Sequence, residues 1–341
     1  MPADFILALL VISSLLTMWK LGVFAAAPLR LAPPRTNRLT VWHILLVLWL
    51  FLVLEGAGGV LLGLKQPPGR PAALLWTHWA PLVADTFARL VVVVIMLLIA
   101  RGRFDAAWPG LGLTGRGLPR GAAGGLIAYL LIAPPLYLTF FVASRLNEWL
   151  WHHRPPEHPL LQAMQAHPGA GPLAMLVFMA CVSAPISEEL FFRGMLQSFI
   201  FRLLAARRHG AGERPVSRPA ANPAHTHADA RDETSVTNKL RPARAIATVT
   251  TLNPKPDTLN PQPVATVADR WLAIGLTALL FALAHYWISP GDGAWLPGLF
   301  LLGMGLGYIY ERTGNMWADI TMHAAFNGVA VTVVLLLHPA L

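Results

Sequence analysis

The chain has 341 residues, of which 55% are hydrophobic and 13% are charged, and its mean hydropathy is +0.53. A soluble domain carries about 25% charged residues, so this composition excludes an ordinary soluble protein and indicates an integral membrane protein. The formal charge is +9, and most basic residues lie between apolar segments. That distribution fits membrane topology and anionic lipid headgroups, and it gives no support for a nucleic-acid partner.

Eight stretches are long and apolar enough to cross a bilayer, which takes about 20 residues. They are predicted near 3–24, 41–64, 80–100, 121–146, 172–204, 271–288, 296–310 and 316–337. The predicted fold is therefore all-α, a polytopic membrane bundle of about eight transmembrane helices. Arginine-rich connections follow the first, third and fifth stretches, and the positive-inside rule places these connections in the cytoplasm. We expect a multi-pass protein of the plasma (inner) membrane.

The sequence divides into two halves and one insertion. Residues 1–171 hold about four predicted spans and no recognisable signature, whereas residues 172–341 hold all the polar motifs described below. Residues 207–269 are rich in Pro, Ala, Thr, Asn and Arg and show no hydrophobic periodicity. This composition predicts a disordered cytoplasmic insertion within the second half.

Two adjacent carboxylates, Glu188 and Glu189, lie within the fifth predicted span, four or five residues before Arg193. On a helix, Glu189 and Arg193 are four residues apart and can pair on one face. Glu188 then points about 100° away, toward something else. Ionisable groups inside spans are expensive and usually functional. Asp85 and Arg89 in the third span have the same four-residue spacing, and we expect a structural ion pair there.

Two later spans carry further polar pairs, Phe281 with His285 and His323 with Asn327, each four residues apart. A glutamate, two imidazoles and an amide can surround one water molecule. The glutamate would accept its proton, and the other groups would orient the water or hold a developing oxyanion. Carboxylate and imidazole are also ordinary zinc ligands, so no cofactor is certain and a zinc-activated water remains an alternative.

The three motifs together resemble the signatures of a known family. The motifs are Glu188-Glu189-Leu-Phe-Phe-Arg193, Phe281-Ala-Leu-Ala-His285 and His323-Ala-Ala-Phe-Asn327. They resemble E-E-x-x-x-R, F-x-x-x-H and H-x-x-x-N of the CAAX prenyl protease type II and bacteriocin-processing family of intramembrane endopeptidases. The stretch from Gly303 to His323 is also similar to this family. The resemblance covers about 172–337.

The resemblance implies a role for each motif residue. Glu188 would be the general base that activates water, and Glu189 and Arg193 would support it. The groups implied to hold the water and the oxyanion are His285, His323 and Asn327. If a metal is present, its implied ligands are Glu188, His285 and His323.

The predicted function is an intramembrane endopeptidase that cuts a peptide or lipidated-protein substrate near the cytoplasmic membrane face. Its other partner is membrane lipid. Two alternatives stay open: a non-catalytic chaperone or immunity partner with the same fold, and a proton-coupled transporter with the carboxylates as a relay. Depth along the spans gives a partial check on the site: His323 falls in the cytoplasmic half of its span, whereas His285 comes out too deep for a flat site, and this mismatch stays open. At 1.5 Å per residue, His323 lies about 10 Å from Met316, and His285 lies about 21 Å from Trp271.

Overall fold

The computed structural model describes residues 3–25, 27–33, 35–61, 78–152, 159–166, 169–212, 266–288 and 293–337. Within these ranges the chain is helical, and its only strand-like pairing is a single bridge between Asn37 and Phe104. The α-helices are α1 Ala3–Lys20, α2 Ala27–Arg30, α3 Val41–Leu61, α4 Trp79–Arg103, α5 Ala107–Gly110, α6 Leu118–Trp151, α7 Pro159–Gln165, α8 Ala170–Phe178, α9 Ala184–Glu189, α10 Ser198–Gly212, α11 Val267–Ile288, α12 Leu296–Thr313 and α13 Met316–Leu337. Most of the predicted insertion, residues 213–265, lies outside the described residues.

Five described helical stretches have the length and hydropathy of membrane spans. They are Trp79–Arg103, Ala107–Trp151, Ala170–Arg207, Val267–Tyr286 and Met316–Leu337. Two shorter apolar helices occur at Ile6–Lys20 and Val41–Leu54. The all-α membrane bundle is therefore confirmed, and the count of about eight spans stays a prediction.

The carboxylate motif lies in one long helical run, here called the motif helix. It consists of α8, a π-helical segment Met179–Ser183, α9, a second π-helical segment Leu190–Gln197, and α10. Short π-helical insertions are rare and occur frequently at functional sites. The carboxylates Glu188 and Glu189 are the last two residues of α9, between the two wider segments.

Pro185 determines where the first π-helical segment ends. The N–H of Ala184 bonds to the carbonyl of Met179, five residues back. The next bond of this series would join residue 185 to the carbonyl of Ala180, but proline has no N–H. The carbonyl of Ala180 therefore needs another donor, because a buried backbone acceptor left unpaired costs free energy.

Glycines allow the close helix contacts that position α13. A Cβ on Gly125 of α6 would overlap the carbonyl oxygen of Ala318 and would lie 3.0 Å from the backbone nitrogen of Met322. A Cβ on Gly303 of α12 would lie 3.0 Å from the Cα of Ala278 on α11. Small residues at such crossings let the backbones of membrane helices approach. As a result, α6 packs along α13 and α11 packs along α12.

One end of the bundle collects the start of α6, the turn between α12 and α13, and the end of α4. The side-chain amide of Asn315 donates to the carbonyl of Gly117 (2.8 Å), and the N–H of Arg38 donates to the carbonyl of Arg103 (2.7 Å). Gly112 has φ +82°, and a Cβ there would overlap the carbonyl of Gly314. We call this the arginine-rich end; its arginines are Arg35, Arg38, Arg101, Arg103, Arg116 and Arg120.

Candidate active site

Glu188 lies at the centre of the site, with a different partner for each carboxylate oxygen. Its Oε2 is 3.5 Å from Nε2 of His285 and 3.9 Å from Nε2 of His323. Its Oε1 is 3.8 Å from Nη1 of Arg89. The side chain is 20% exposed, but Oε2 itself is buried and has no hydrogen-bond partner among the described residues. The structure thus brings together three of the four predicted catalytic side chains, from the motif helix, α11 and α13.

Glu189 is fully buried and makes the predicted pair with Arg193. Nη1 of Arg193 donates to Oε1 of Glu189 (3.2 Å), and Nε of Arg193 is 3.1 Å from Oε2. Nη2 of Arg193 reaches the carbonyl of Gly303 on α12 (3.4 Å). Oε1 of Glu189 also lies 2.7 Å from Nδ1 of His323. Glu189 therefore holds both an arginine and one of the site histidines.

The contacts at Nδ1 determine what each histidine presents to Glu188. Nδ1 of His285 lies 2.9 Å from the carbonyl of Phe281, which can only accept a hydrogen bond. Nδ1 of His323 faces Oε1 of Glu189, an oxygen that also accepts a hydrogen bond from Arg193. Both rings therefore carry hydrogen on Nδ1. A neutral ring then offers a lone pair at Nε2, and a charged ring offers an N–H.

Phe281 packs at the centre of these polar groups, as a buried aromatic rather than a reacting group. Its ring centroid is 4.4 Å from that of His285 and 5.8 Å from that of His323. The guanidinium carbon of Arg193 lies 4.6 Å from the same centroid. The aromatic face stabilises the buried cation and restricts where both imidazoles can move.

Asn327 contacts the backbone of the motif helix. Its Nδ2 donates to the carbonyl of Ala180 (2.8 Å), which is the acceptor that Pro185 leaves without a main-chain donor. This bond holds α13 against the first π-helical segment, about two turns before Glu188. The predicted role of Asn327 in holding water stays a prediction.

Asp85 and Arg89 form the expected ion pair on α4, and the arginine does more than pair. Nε of Arg89 donates to Oδ2 of Asp85 (2.8 Å), while Nη1 reaches Oγ of Ser187 (3.4 Å) and approaches Glu188. The sequence suggested the pair through its spacing. It gave no indication that this pair from the first half of the chain reaches the carboxylate motif.

A second buried cluster lies toward the arginine-rich end, and the sequence reasoning assigned it no role. Glu311 is fully buried, with Oε2 accepting from Nη1 of Arg270 (2.5 Å) and Oε1 accepting from Nε2 of Gln197 (3.0 Å). Arg35 forms an ion pair with the same carboxylate. The sequence signal for this cluster was Glu311 itself, a single glutamate near the end of an apolar span. Its partners come from three distant parts of the chain.

Arg35 lies outside the spans and is held in its charged form by this cluster. Burial lowers the pKa of Arg35, but the carboxylate of Glu311, with Tyr310 and Asp319 nearby, raises it above its ordinary value. Asp319 is fully buried one turn before His323, and neither of its oxygens has a hydrogen-bond partner among the described residues. The two polar clusters are thus neighbours along α13.

No group of three or more His, Cys, Asp or Glu side chains in the described part of the chain is arranged to hold a metal ion. The predicted ligand set of Glu188, His285 and His323 does come together. However, its oxygen-to-nitrogen separations of 3.5 and 3.9 Å exceed the roughly 3.4 Å between ligands at zinc distances.

A scan against family models matches residues 170–329, just under half of the chain, to the family described as Type II CAAX prenyl endopeptidase Rce1-like. This region belongs to the type II CAAX prenyl endopeptidase family. The match begins at α8 and includes all three motifs, and the family resemblance is thereby confirmed. No curated protein and no solved structure was found to match the chain.

Type II CAAX prenyl endopeptidases are membrane proteases, and the family therefore supports a peptidase that acts on peptide or protein substrates within a membrane. The matched region supplies the glutamates and both histidines. Arg89 and Arg35 come from the part of the chain before the match, and both reach polar clusters inside the matched region.

Proposed function

We propose that this protein hydrolyses a peptide bond of a peptide or lipidated-protein substrate near the cytoplasmic membrane face, with Glu188 as the general base. The observation that carries the proposal is the position of Oε2 of Glu188, which faces Nε2 of His285 and Nε2 of His323. The family match to membrane proteases supports the reaction class. The cytoplasmic side is supported by the arginine-rich end, through the positive-inside rule.

A water molecule can bridge Glu188 and one of the histidines. Oε2 of Glu188 lies 3.5 Å from Nε2 of His285, and a water beside these two atoms can lie about 2.8 Å from each of them, an ordinary hydrogen-bond distance. The water has two hydrogens, so it donates one to Glu188 and one to a neutral imidazole. Its remaining lone pair is then free to attack the substrate carbonyl, and Glu188 carries the abstracted proton to the leaving amine.

The two histidines are suited to different parts of the reaction. His285 bonds through Nδ1 to a neutral carbonyl, so its neutral form is suited to accept from the water. His323 contacts the carboxylate of Glu189 through Nδ1, which holds the orientation of its ring. A charged His323 offers an Nε2–H to the oxyanion that forms. The second N–H of Asn327 is the further donor that we expect.

Zinc chemistry is the alternative route through the same side chains. A zinc ion held by Glu188, His285 and His323 would activate the water as a Lewis acid. We favour the glutamate route because Oε2 of Glu188 already faces Nε2 of both histidines and Glu189 already holds one of the rings.

The test uses purified protein in detergent and a fluorogenic peptide whose farnesylated cysteine lies three residues before the C-terminus. Glu188→Gln should reduce the cleavage rate by about 10²- to 10⁴-fold, the usual contribution of a general base. Glu148→Gln, which alters an exposed pair with Arg145, is the matched control and should cleave normally. Equal cleavage by Glu188→Gln would remove Glu188 as the base.

The same assay with a strong zinc chelator separates the two routes. Unchanged activity supports the glutamate route, whereas a loss that added zinc restores supports the zinc route. If the wild type cleaves no lipidated or unmodified peptide, the peptidase proposal fails. The chaperone and transporter alternatives then take its place.

A further inference from the structure

Arg89 is a charged group in the site that comes from α4, outside the family match. Its polar contacts include Nε with Asp85 at 2.8 Å, Nη1 with Oγ of Ser187 at 3.4 Å, and Nη1 with Oε1 of Glu188 at 3.8 Å. The guanidinium carbon also lies 5.3 Å from the ring centroid of Phe51. The side chain is largely buried, at 16% exposure. A desolvated arginine at this distance interacts with a carboxylate more strongly than it would in water.

The arginine contacts the oxygen of Glu188 that the histidines leave aside. Oε1 is on the Arg89 side, and Oε2 is on the side of His285 and His323. A carboxylate with only one of these contacts could rotate about χ3, the last side-chain torsion of glutamate, because the χ3 angles of glutamate are broadly distributed. With a cation on one oxygen, the other oxygen stays directed at the imidazoles.

Asp85 determines the orientation of the arginine itself. Its bond to Nε leaves the Nη1 side of the planar guanidinium directed at Ser187 and Glu188, and a planar fork holds such an orientation better than a lysine ammonium. Two carboxylates, Asp85 and Glu188, already lie within 4 Å of this one cation. These contacts argue against a role for Arg89 in binding an anionic group of the substrate.

We propose that Arg89 is a positioning residue for Glu188, anchored by Asp85, so that the first half of the chain completes the site of the matched region. This inference rests on the proposed function, since it assigns Arg89 the task of aiming the proposed general base. It goes beyond the three motifs, because neither Arg89 nor Asp85 belongs to any of them.

The kinetic test compares Arg89→Gln, Arg89→Lys and the double variant Asp85→Asn/Arg89→Gln in the farnesylated-peptide assay. The double variant removes the pair together, so Asp85 is not left as a buried carboxylate without its arginine. A misdirected base should lower kcat by up to about 100-fold, with KM nearly unchanged, and lysine should restore part of the loss. Arg145→Gln, at an exposed pair on α6, is the matched control and should keep the wild-type kcat.

A stability cycle tests the contact without any substrate. Thermal unfolding in detergent is measured for the wild type, Arg89→Gln, Glu188→Gln and the combined variant. If the contact exists, Arg89→Gln lowers the Tm less when Glu188 is already replaced. Additive Tm changes in this cycle overturn the proposal, whatever the peptide assay shows. In the kinetic test, a raised KM with an unchanged kcat for Arg89→Gln overturns it as well. A wild type that cleaves nothing contradicts the proposed function, and the cycle still decides whether Arg89 acts on Glu188.

Discussion

The two adjacent glutamates show how one residue step changes the chemistry of a carboxylate. Glu188 is 20% exposed and faces two imidazoles, whereas Glu189 is fully buried between Arg193 and His323. The four-residue spacing was enough to predict the pair of Glu189 with Arg193. The contact of Glu188 with Arg89 could not be predicted this way, because it depends on how closely α4 approaches the motif helix.

We expect Glu189→Gln and Glu188→Gln to differ in their effects on thermal stability. Glu189→Gln leaves Arg193 as a buried cation without its anion, which costs about 3–5 kcal/mol and should lower the Tm in detergent clearly. Glu188→Gln replaces a partly exposed group and should change the Tm little while abolishing cleavage. Thermal unfolding of both variants beside the wild type checks this. Equal Tm values for the two variants would contradict the supporting role of Glu189.

At the scale of helical elements, the two π-helical segments are what the sequence reasoning missed. Pro185 was visible in the sequence, and it lies inside an apolar span. The consequence of this proline could not be predicted from the sequence. The carbonyl of Ala180, which loses its main-chain donor, could pair with water, with a side chain, or with nothing. The donor turned out to be Asn327, a residue 147 positions away in the chain. Such compensation is a tertiary property that local spacing does not contain.

A double-mutant cycle between Pro185 and Asn327 tests that compensation. Asn327→Leu should cost about 1–3 kcal/mol, because it leaves the buried carbonyl of Ala180 unpaired. In a Pro185→Ala background, the restored backbone N–H can bond to this carbonyl, so the same substitution should cost less. The Tm values of the four proteins in detergent measure the difference. If the cost of Asn327→Leu is the same in both backgrounds, the amide does not replace the missing N–H.

For the whole molecule, composition and hydropathy were enough to predict an all-α membrane bundle, and three spaced motifs were enough to predict the family. Counting residues from the start of each helix predicted the depth of the site histidines less well. It put His285 and His323 at different levels, yet both lie within 4 Å of one oxygen. The physical reason is that Met316, the start of α13, is itself fully buried and packs in one cluster with Leu190 and Met195. Packing against the motif helix therefore determines the level at which α13 begins, and a count of residues from the helix start does not contain this information.

The orientation of the whole bundle can be tested on α6, whose ends should lie on opposite sides of the membrane. Residues 116 and 148 are separated by about 45 Å of helix at 1.5 Å per residue, and a bilayer core is about 30 Å thick. Arg116 lies at the arginine-rich end. At the other end, Trp149 and Trp151 are exposed, as in the aromatic belt of a membrane interface.

Cys181 is the only cysteine, so Cys181→Ser provides a background for single labels. In that background, Arg116→Cys and Glu148→Cys are exposed to a membrane-impermeant maleimide, in intact cells and in inverted membranes. Since arginine-rich connections stay in the cytoplasm, the reagent should label Arg116→Cys only in inverted membranes and Glu148→Cys only in intact cells. The reverse pattern would place the arginine-rich end outside the cell. Peptide cleavage would then occur on the face opposite to the one proposed, because His323 lies only two turns into α13, which begins at this end.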